Sequence, residues 1–83
     1  MVMKARVHVY LKPSVLDPQG QTITTALKGF GFHAIESVRQ GKYFDIEFDE
    51  SLDESAVREQ LTKIAHDVLA NPVIEEYSVE LLS

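Results

Sequence analysis

The residue types that most often carry chemistry are scattered along this chain of 83 residues. Its three histidines are His8, His33 and His66, and no two of them have the short spacing typical of a metal site. The absence of cysteine excludes disulfides, thiolate zinc sites, iron–sulfur clusters and cysteine nucleophiles. The serines and threonines show no nucleophile-elbow pattern. The sequence therefore predicts neither a metal site nor a covalent nucleophile.

Carboxylates and glycines, which could also form a site, occur where structure alone explains them. The acidic residues at 49–54 precede a helix, whose N-terminus favours negative charge, and Glu75-Glu76 lies on an exposed strand. The glycines of 29–31 follow a helix, whereas a phosphate cradle precedes one. An acylphosphatase-like site would need an arginine in the loop after the first strand, and that loop holds residues 12–14, Lys-Pro-Ser. We therefore expect no catalytic, cofactor-binding or metal-binding residue in this chain.

The charge balance argues against two classes of partner. Thirteen acidic residues against eight basic ones give a net charge of −5. Nucleic-acid-binding proteins gain much of their affinity by neutralising phosphates with positive charge, so we expect this acidic chain to have no nucleic-acid partner. No apolar run is long enough to cross a membrane, and residues 1–6 lack the apolar segment of a signal peptide. These features predict a cytoplasmic protein without a membrane partner.

The first half of the chain predicts a strand, a helix and a second strand. Residues 3–11 alternate between apolar and polar side chains, which is typical of a half-buried strand. Asp17 is a good helix N-cap, Pro18 suits the first helical position, and Gly20 allows a close backbone approach. An apolar stripe at helical spacing follows, formed by Ile23, Leu27 and Phe30. Residues 34–39 predict a second strand, although their alternation is poor.

The second half predicts a strand, a helix and a last strand. Residues 40–42 are interpreted as a hairpin turn, and residues 43–49 alternate as a third strand. A capping box at residues 51–54 begins an amphipathic helix of about five turns. Residues 73–82 are predicted to form the last strand.

The order of these elements predicts a single domain over residues 1–83. A βαββαβ order favours the α+β class and a ferredoxin-like sandwich, in which a four-stranded antiparallel sheet carries two helices on one face. Right-handed connections then give the strand order 4-1-3-2. In that order the outward residues Lys4, Arg6 and His8 of the first strand lie between two acidic strands. This charged face is either simply solvated or a protein–protein surface.

Three segments carry a resemblance to a known family. Residues 9–20 contain Leu-Asp-Pro-Gln-Gly, residues 38–43 contain Val-Arg-Gln-Gly-Lys, and residues 69–75 contain Asn-Pro. Together they closely resemble the PurS family, the small subunits of phosphoribosylformylglycinamidine synthase in the purine pathway. The resemblance covers essentially the whole chain in order. The first two segments are the specific ones.

The resemblance implies a non-catalytic subunit of a three-part ligase. In that family the large subunit uses ATP and Mg to activate formylglycinamide ribonucleotide, and a glutaminase subunit releases ammonia from glutamine. The small subunit forms a homo-oligomer, expected here to be a dimer, and bridges the two larger subunits. ATP, Mg and glutamine are therefore expected on the partner subunits and not on this chain.

The predicted hairpin supplies the candidates for partner contact. Arg39, Gly41 and Lys42 combine two cations with a glycine, and with the resemblance they are interpreted as residues that grip a carboxylate-bearing partner. The alternative is that Gly41 only makes the turn and the two cations are solvated. A different function also fits the element order, namely an ACT-like regulatory module that binds a small metabolite at a dimer interface. A stand-alone small hydrolase is a third possibility.

Overall fold

The chain folds into a three-stranded antiparallel sheet with one helix packed on it and a second helix held away from it. The computed structural model describes residues 3–82. The elements in chain order are β1 (Met3–Leu11), α1 (Pro18–Gly29), β2 (Gly41–Phe48), α2 (Glu54–Ile64), a π-helical turn (Ala65–Leu69) and β3 (Glu75–Leu81). The fold therefore belongs to the α+β class.

The sheet confirms part of the predicted strand order. β1 lies between β2 and β3 and pairs antiparallel with both, so the first strand has the neighbours expected from the sequence. Residues 34–39, however, form no strand within the described chain, and the sheet has three strands instead of four. Their poor alternation offers no apolar face, and the Gln40 N–H donates to a carboxylate, not to a neighbouring strand. The four-stranded ferredoxin-like sandwich is therefore not confirmed in the single chain.

The core lies between β1 and the second helical layer, which consists of α2 and the π-helical turn. The strict alternation of β1 buries Ala5, Val7 and Val9 on one face of the sheet, where Val57 and Leu61 of α2 cover them. Asp53 caps α2 by accepting the Ala56 N–H at 2.8 Å, so the predicted cap at Ser51 is wrong by two residues. This packing confirms the long amphipathic helix expected from the sequence.

The second helical layer covers the inner face of the sheet unevenly. It packs against β1 and β3, and the inward side chains Phe44 and Ile46 of β2 remain half-buried. Their partial exposure leaves apolar surface of the inner face open on the β2 side.

Residues 12–40, called the arm below, extend away from this body. The Cα radius of gyration is 16.5 Å, whereas a compact domain of this length has about 12 Å. The molecule measures 51 × 28 × 14 Å. Within α1 only Gly20 is buried, and Ile23, at 36% exposure, is followed at the arm's tip by Phe30 at 80%. The apolar stripe predicted for α1 therefore exists, but its own sheet does not cover it.

Candidate functional site: the base of the arm

The two specific segments of the sequence meet where the arm joins the sheet. The arm base, as the term is used here, consists of residues 12–20, which lead into α1, and residues 38–41, which lead from the arm into β2. Lys12 is anchored to the body because its N–H donates to the Ile74 carbonyl at 2.9 Å. Side chains and backbone from both segments then contact each other across the base.

Asp17 is the central acceptor of the arm base. Asp17 is buried, with an exposed fraction of 6%. Its Oδ1 accepts the Gly20 N–H at 2.9 Å, which caps α1, and its Oδ2 accepts the Gln40 N–H at 2.7 Å. These two N–H donors, together with the charge of Arg39, hold the pKa of the Asp17 carboxyl below its ordinary value. One carboxylate therefore joins the two segments.

Arg39 joins the same segments from the other side. Its Nη2 donates to the Lys12 carbonyl at 3.1 Å and to the Val15 carbonyl at 2.8 Å. The Gln40 side chain adds a hydrogen bond to the Gln19 side chain. The guanidinium, offered from the sequence as a partner contact, is thus engaged with backbone of its own chain.

Two glycines permit the close approach of these segments. A Cβ on Gly20 would lie 2.1 Å from the Val38 carbonyl oxygen, and one on Gly41 would lie 3.0 Å from the Val9 carbonyl oxygen. Neither glycine has a positive φ. Space, not backbone conformation, therefore requires glycine at position 20 and leaves a side chain at position 41 only a tight fit. The close approach expected at Gly20 is confirmed.

The predicted hairpin at residues 40–42 is wrong. Gly41 and Lys42 belong to β2 itself and pair with Tyr10 and Val9 of β1. Because residues 34–39 are not a strand, residues 40–42 are not a turn between two strands. Lys42 is exposed, and its Nζ lies 5.7 Å from the centre of the Phe44 ring. Whether Arg39, Gly41 and Lys42 contact a partner stays a prediction.

The outer face of the sheet carries the charge pattern expected from the sequence. Arg6 lies opposite Asp45 on β2 and Glu80 on β3. The Arg6 Nε donates to the Asp45 carboxylate at 2.7 Å, and this contact lowers the pKa of Asp45. His8 Nε2 lies 3.2 Å from the Glu80 carboxylate. The basic central strand is therefore paired with both acidic neighbours.

The described residues hold no cluster suited to metal chemistry. Within residues 3–82, no group of three or more histidine, cysteine, aspartate or glutamate side chains is placed to hold a metal ion. In the same part of the chain, none of the helices has the length and apolar character needed to cross a membrane.

Comparison with known proteins identifies the family. Residues 4–83 match the family model "PurS: Phosphoribosylformylglycinamidine (FGAM) synthase". The PurS subunit of phosphoribosylformylglycinamidine synthase from Mycobacterium leprae is 46% identical over 76 residues, which cover 92% of this chain and 91% of that protein. The chain belongs to the PurS family.

Solved PurS structures agree with this assignment. The crystal structure of Methanocaldococcus jannaschii PurS, one of the subunits of formylglycinamide ribonucleotide amidotransferase, superposes with a TM-score of 0.84 at 38% identity and covers 95% of this chain and 94% of that one. A chain of the PurLQS structure from Thermotoga maritima reaches 0.87 at 30% identity, with 99% of both chains covered. The extended arm therefore belongs to a chain whose fold matches those of other PurS proteins along nearly its whole length.

The arm base gives the PurS-like segments a physical role that the sequence only partly indicated. Asp17 was recognised as a helix cap, but the bond from its second oxygen to Gln40 joins residues 23 positions apart. The only signal available in the sequence was that the two most specific segments, 16–20 and 38–42, occur in the same chain. That co-occurrence does not by itself indicate contact.

Substitution of two glycines in α1 should separate the arm base from ordinary helix propensity. In Gly20→Ala the new methyl group would clash with the Val38 carbonyl, and we expect a loss of about 1–3 kcal/mol in the free energy of unfolding. Gly29→Ala meets nothing within 4 Å, so we expect a gain of up to about 1 kcal/mol. Urea denaturation measures both. Equal effects in the two variants would contradict the close contact at Gly20.

Proposed function

We propose that this chain is the small, non-catalytic subunit of a three-component phosphoribosylformylglycinamidine synthase. The observation that carries the proposal is the near-full-length match to PurS proteins, one of them in the PurLQS structure. In this role the chain bridges the large synthetase subunit and the glutaminase subunit and supports ammonia transfer between them. The chain contributes to a glutamine-dependent ligase, while ATP, Mg and glutamine are used by the partner subunits. Its cysteine-free composition fits the cytoplasm, where purine synthesis would take place.

Homo-oligomerisation through the arm forms the second part of the proposal. The exposed apolar residues Ile23, Phe30 and Phe32 lie along α1 and at its tip, and the arm carries them away from the sheet. Apolar surface remains open over β2, where Phe44 and Ile46 are half-buried. In a two-fold dimer, each α1 can cover the open inner face of the second copy, so that both surfaces leave water. We call this arrangement arm exchange.

In arm exchange, the predicted second strand has a pairing partner in the second copy. β2 is an edge strand of the three-stranded sheet, and an edge presents unpaired backbone groups. Residues 34–39 of a second copy, carried by its arm, add to that edge. The four-stranded, ferredoxin-like arrangement with two helices on one face would then be completed by two chains instead of one.

A reconstitution experiment tests the assembly function. The purified large synthetase and glutaminase subunits are mixed with and without this chain, in the presence of ADP, Mg and glutamine, and analysed by size exclusion. Glutamine-dependent formation of the amidine product is measured in parallel. We expect co-elution of the three proteins and a strong loss of glutamine-dependent activity when this chain is omitted. Independent elution together with unchanged activity would refute the assembly role.

Arg39, Gly41 and Lys42 remain the proposed contacts to a larger subunit. Arg39 and Gly41 also shape the arm base, so their substitution would disturb the arm as well as a contact. Lys42 avoids this problem because it is exposed and makes no hydrogen bond to the arm. Its ammonium lies at the start of β2, where a carboxylate of a partner could approach it.

Lys42→Ala should therefore weaken the complex without changing the fold. Surface substitutions usually change stability by less than about 0.5 kcal/mol, so the thermal midpoint should stay the same. We expect a reduced yield of the three-component complex by size exclusion. Lys63→Ala, at an exposed position on α2, serves as the matched control. Equal complex yield for Lys42→Ala and the wild type would exclude a contact at this lysine.

A further inference from the structure

The Asp17 carboxylate has two hydrogen-bond partners with different consequences. The Gly20 N–H, three residues ahead, is the ordinary partner of a helix N-cap. The Gln40 N–H belongs to the segment by which the chain returns from the arm to the sheet, 23 residues further along the chain. Among residues 3–82, the side chain of the other aspartate N-cap, Asp53, accepts only the Ala56 N–H of its own helix. Asp17 therefore does more than an N-cap requires.

The second bond closes the base of the arm. The chain crosses between sheet and arm twice, once through residues 12–17 and once through residues 38–40. Asp17 holds the second crossing against the first turn of α1, and Arg39 holds it against the carbonyls of Lys12 and Val15. The Lys12 N–H is itself bonded to the Ile74 carbonyl, which ties the pair of crossings to the body.

We propose that Asp17 is a positioning residue for assembly, because its bond to Gln40 sets the direction in which the arm leaves the sheet. This inference rests on the arm exchange proposed above. An arm attached by two independent linkers would sample many directions. Binding of a second copy would then restrict the arm to a few of them, at a cost in conformational entropy. Closing the base removes that freedom before association, and such preorganisation increases affinity without adding a contact to the partner.

The variant Asp17→Asn isolates the bond to Gln40. Asparagine has the same shape and is as good an N-cap as aspartate, so the bond to the Gly20 N–H can be kept. Its amide group has a single acceptor oxygen and points N–H donors at the second position, where the Gln40 N–H also donates. Asp53→Asn is the matched control, since that carboxylate caps α2 but does not bridge to a distant segment.

Two measurements on the full chain test the inference. Amide hydrogen exchange should show that Gln40 loses protection in Asp17→Asn while Gly20 keeps it. Sedimentation velocity should show a dimer dissociation constant raised by about tenfold, which corresponds to a binding-competent arm direction in about one tenth of the variant molecules. Asp53→Asn should change neither the Gln40 protection nor the dissociation constant. If Asp17→Asn does not fold, Asp17→Ser, which can also cap the helix but reaches only one donor, is measured in the same way.

The outcomes distinguish this inference from arm exchange itself. A wild-type dimer whose dissociation constant is unchanged in Asp17→Asn, although Gln40 has lost its protection, overturns the positioning role and leaves arm exchange intact. A wild-type chain that is monomeric at all concentrations overturns arm exchange and the positioning role together.

Discussion

Replacing Ile23 with aspartate should convert the assembled protein into a monomer. Ile23 lies on the apolar stripe of α1 and is 36% exposed in the single chain, and this exposed part is the surface that a second copy would cover. In a symmetric exchange the exposed part is covered in both copies; full burial of an isoleucine contributes about 1.5–3 kcal/mol, and a side chain that is already partly covered contributes less. The loss of both, with a carboxylate in their place, should raise the dissociation constant by at least about a hundredfold.

Analytical ultracentrifugation over a range of concentrations measures this effect. Thr25→Asp is the control, because Thr25 is exposed on the opposite side of the same helix. The substitution introduces the same negative charge there. We expect Thr25→Asp to associate like the wild type. A dimer of unchanged affinity in Ile23→Asp would show that α1 is not the surface through which the copies meet.

Leu61→Ala should cause the largest loss of stability within the single chain. Leu61 is 0% exposed and lies in α2 over the buried face of β1, beside Val57. Leucine-to-alanine changes at such positions cost about 2–5 kcal/mol because they leave a cavity. The free energy of unfolding of a domain this small is itself only about 4–12 kcal/mol. We therefore expect a large drop in the thermal midpoint, with partial unfolding at physiological temperature.

Circular dichroism during heating measures the change, and Glu59→Ala provides the comparison on the same helix. Glu59 is exposed, and alanine is a good helix former, so that variant should unfold close to the wild-type temperature. A midpoint for Leu61→Ala within a degree or two of the wild type would mean that α2 does not form the core described here.

The elements predicted best are those whose local pattern and tertiary packing agree. β1 alternates strictly, and the structure buries Ala5, Val7 and Val9 as that pattern requires. α1 begins at Pro18 behind the Asp17 cap, and Gly31, with a φ of 99°, follows the end of the helix. In each case a short-range rule of backbone geometry or side-chain period was enough.

The features that the sequence did not predict correctly, or did not predict at all, depend on which segments meet. Residues 34–39 were expected to pair with the next strand across a turn at Gly41, but Gly41 is part of β2. Arg39 is exposed, as expected, but the sequence did not indicate that its guanidinium binds the carbonyls of Lys12 and Val15. Neither contact has a local pattern, because each joins residues more than 20 positions apart.

The sequence by itself determined the class, the helix boundaries near Asp17 and the charge pattern of β1, and its motifs pointed to the PurS family. These follow from local periodicity, capping and segment identity, which are properties of neighbouring residues. Only the tertiary structure decided that α1 leaves its own sheet and that Asp17 and Arg39 close the base of the arm. The physical reason is that an apolar stripe specifies burial but not which surface buries it, and a carboxylate with two acceptor oxygens does not specify its second donor.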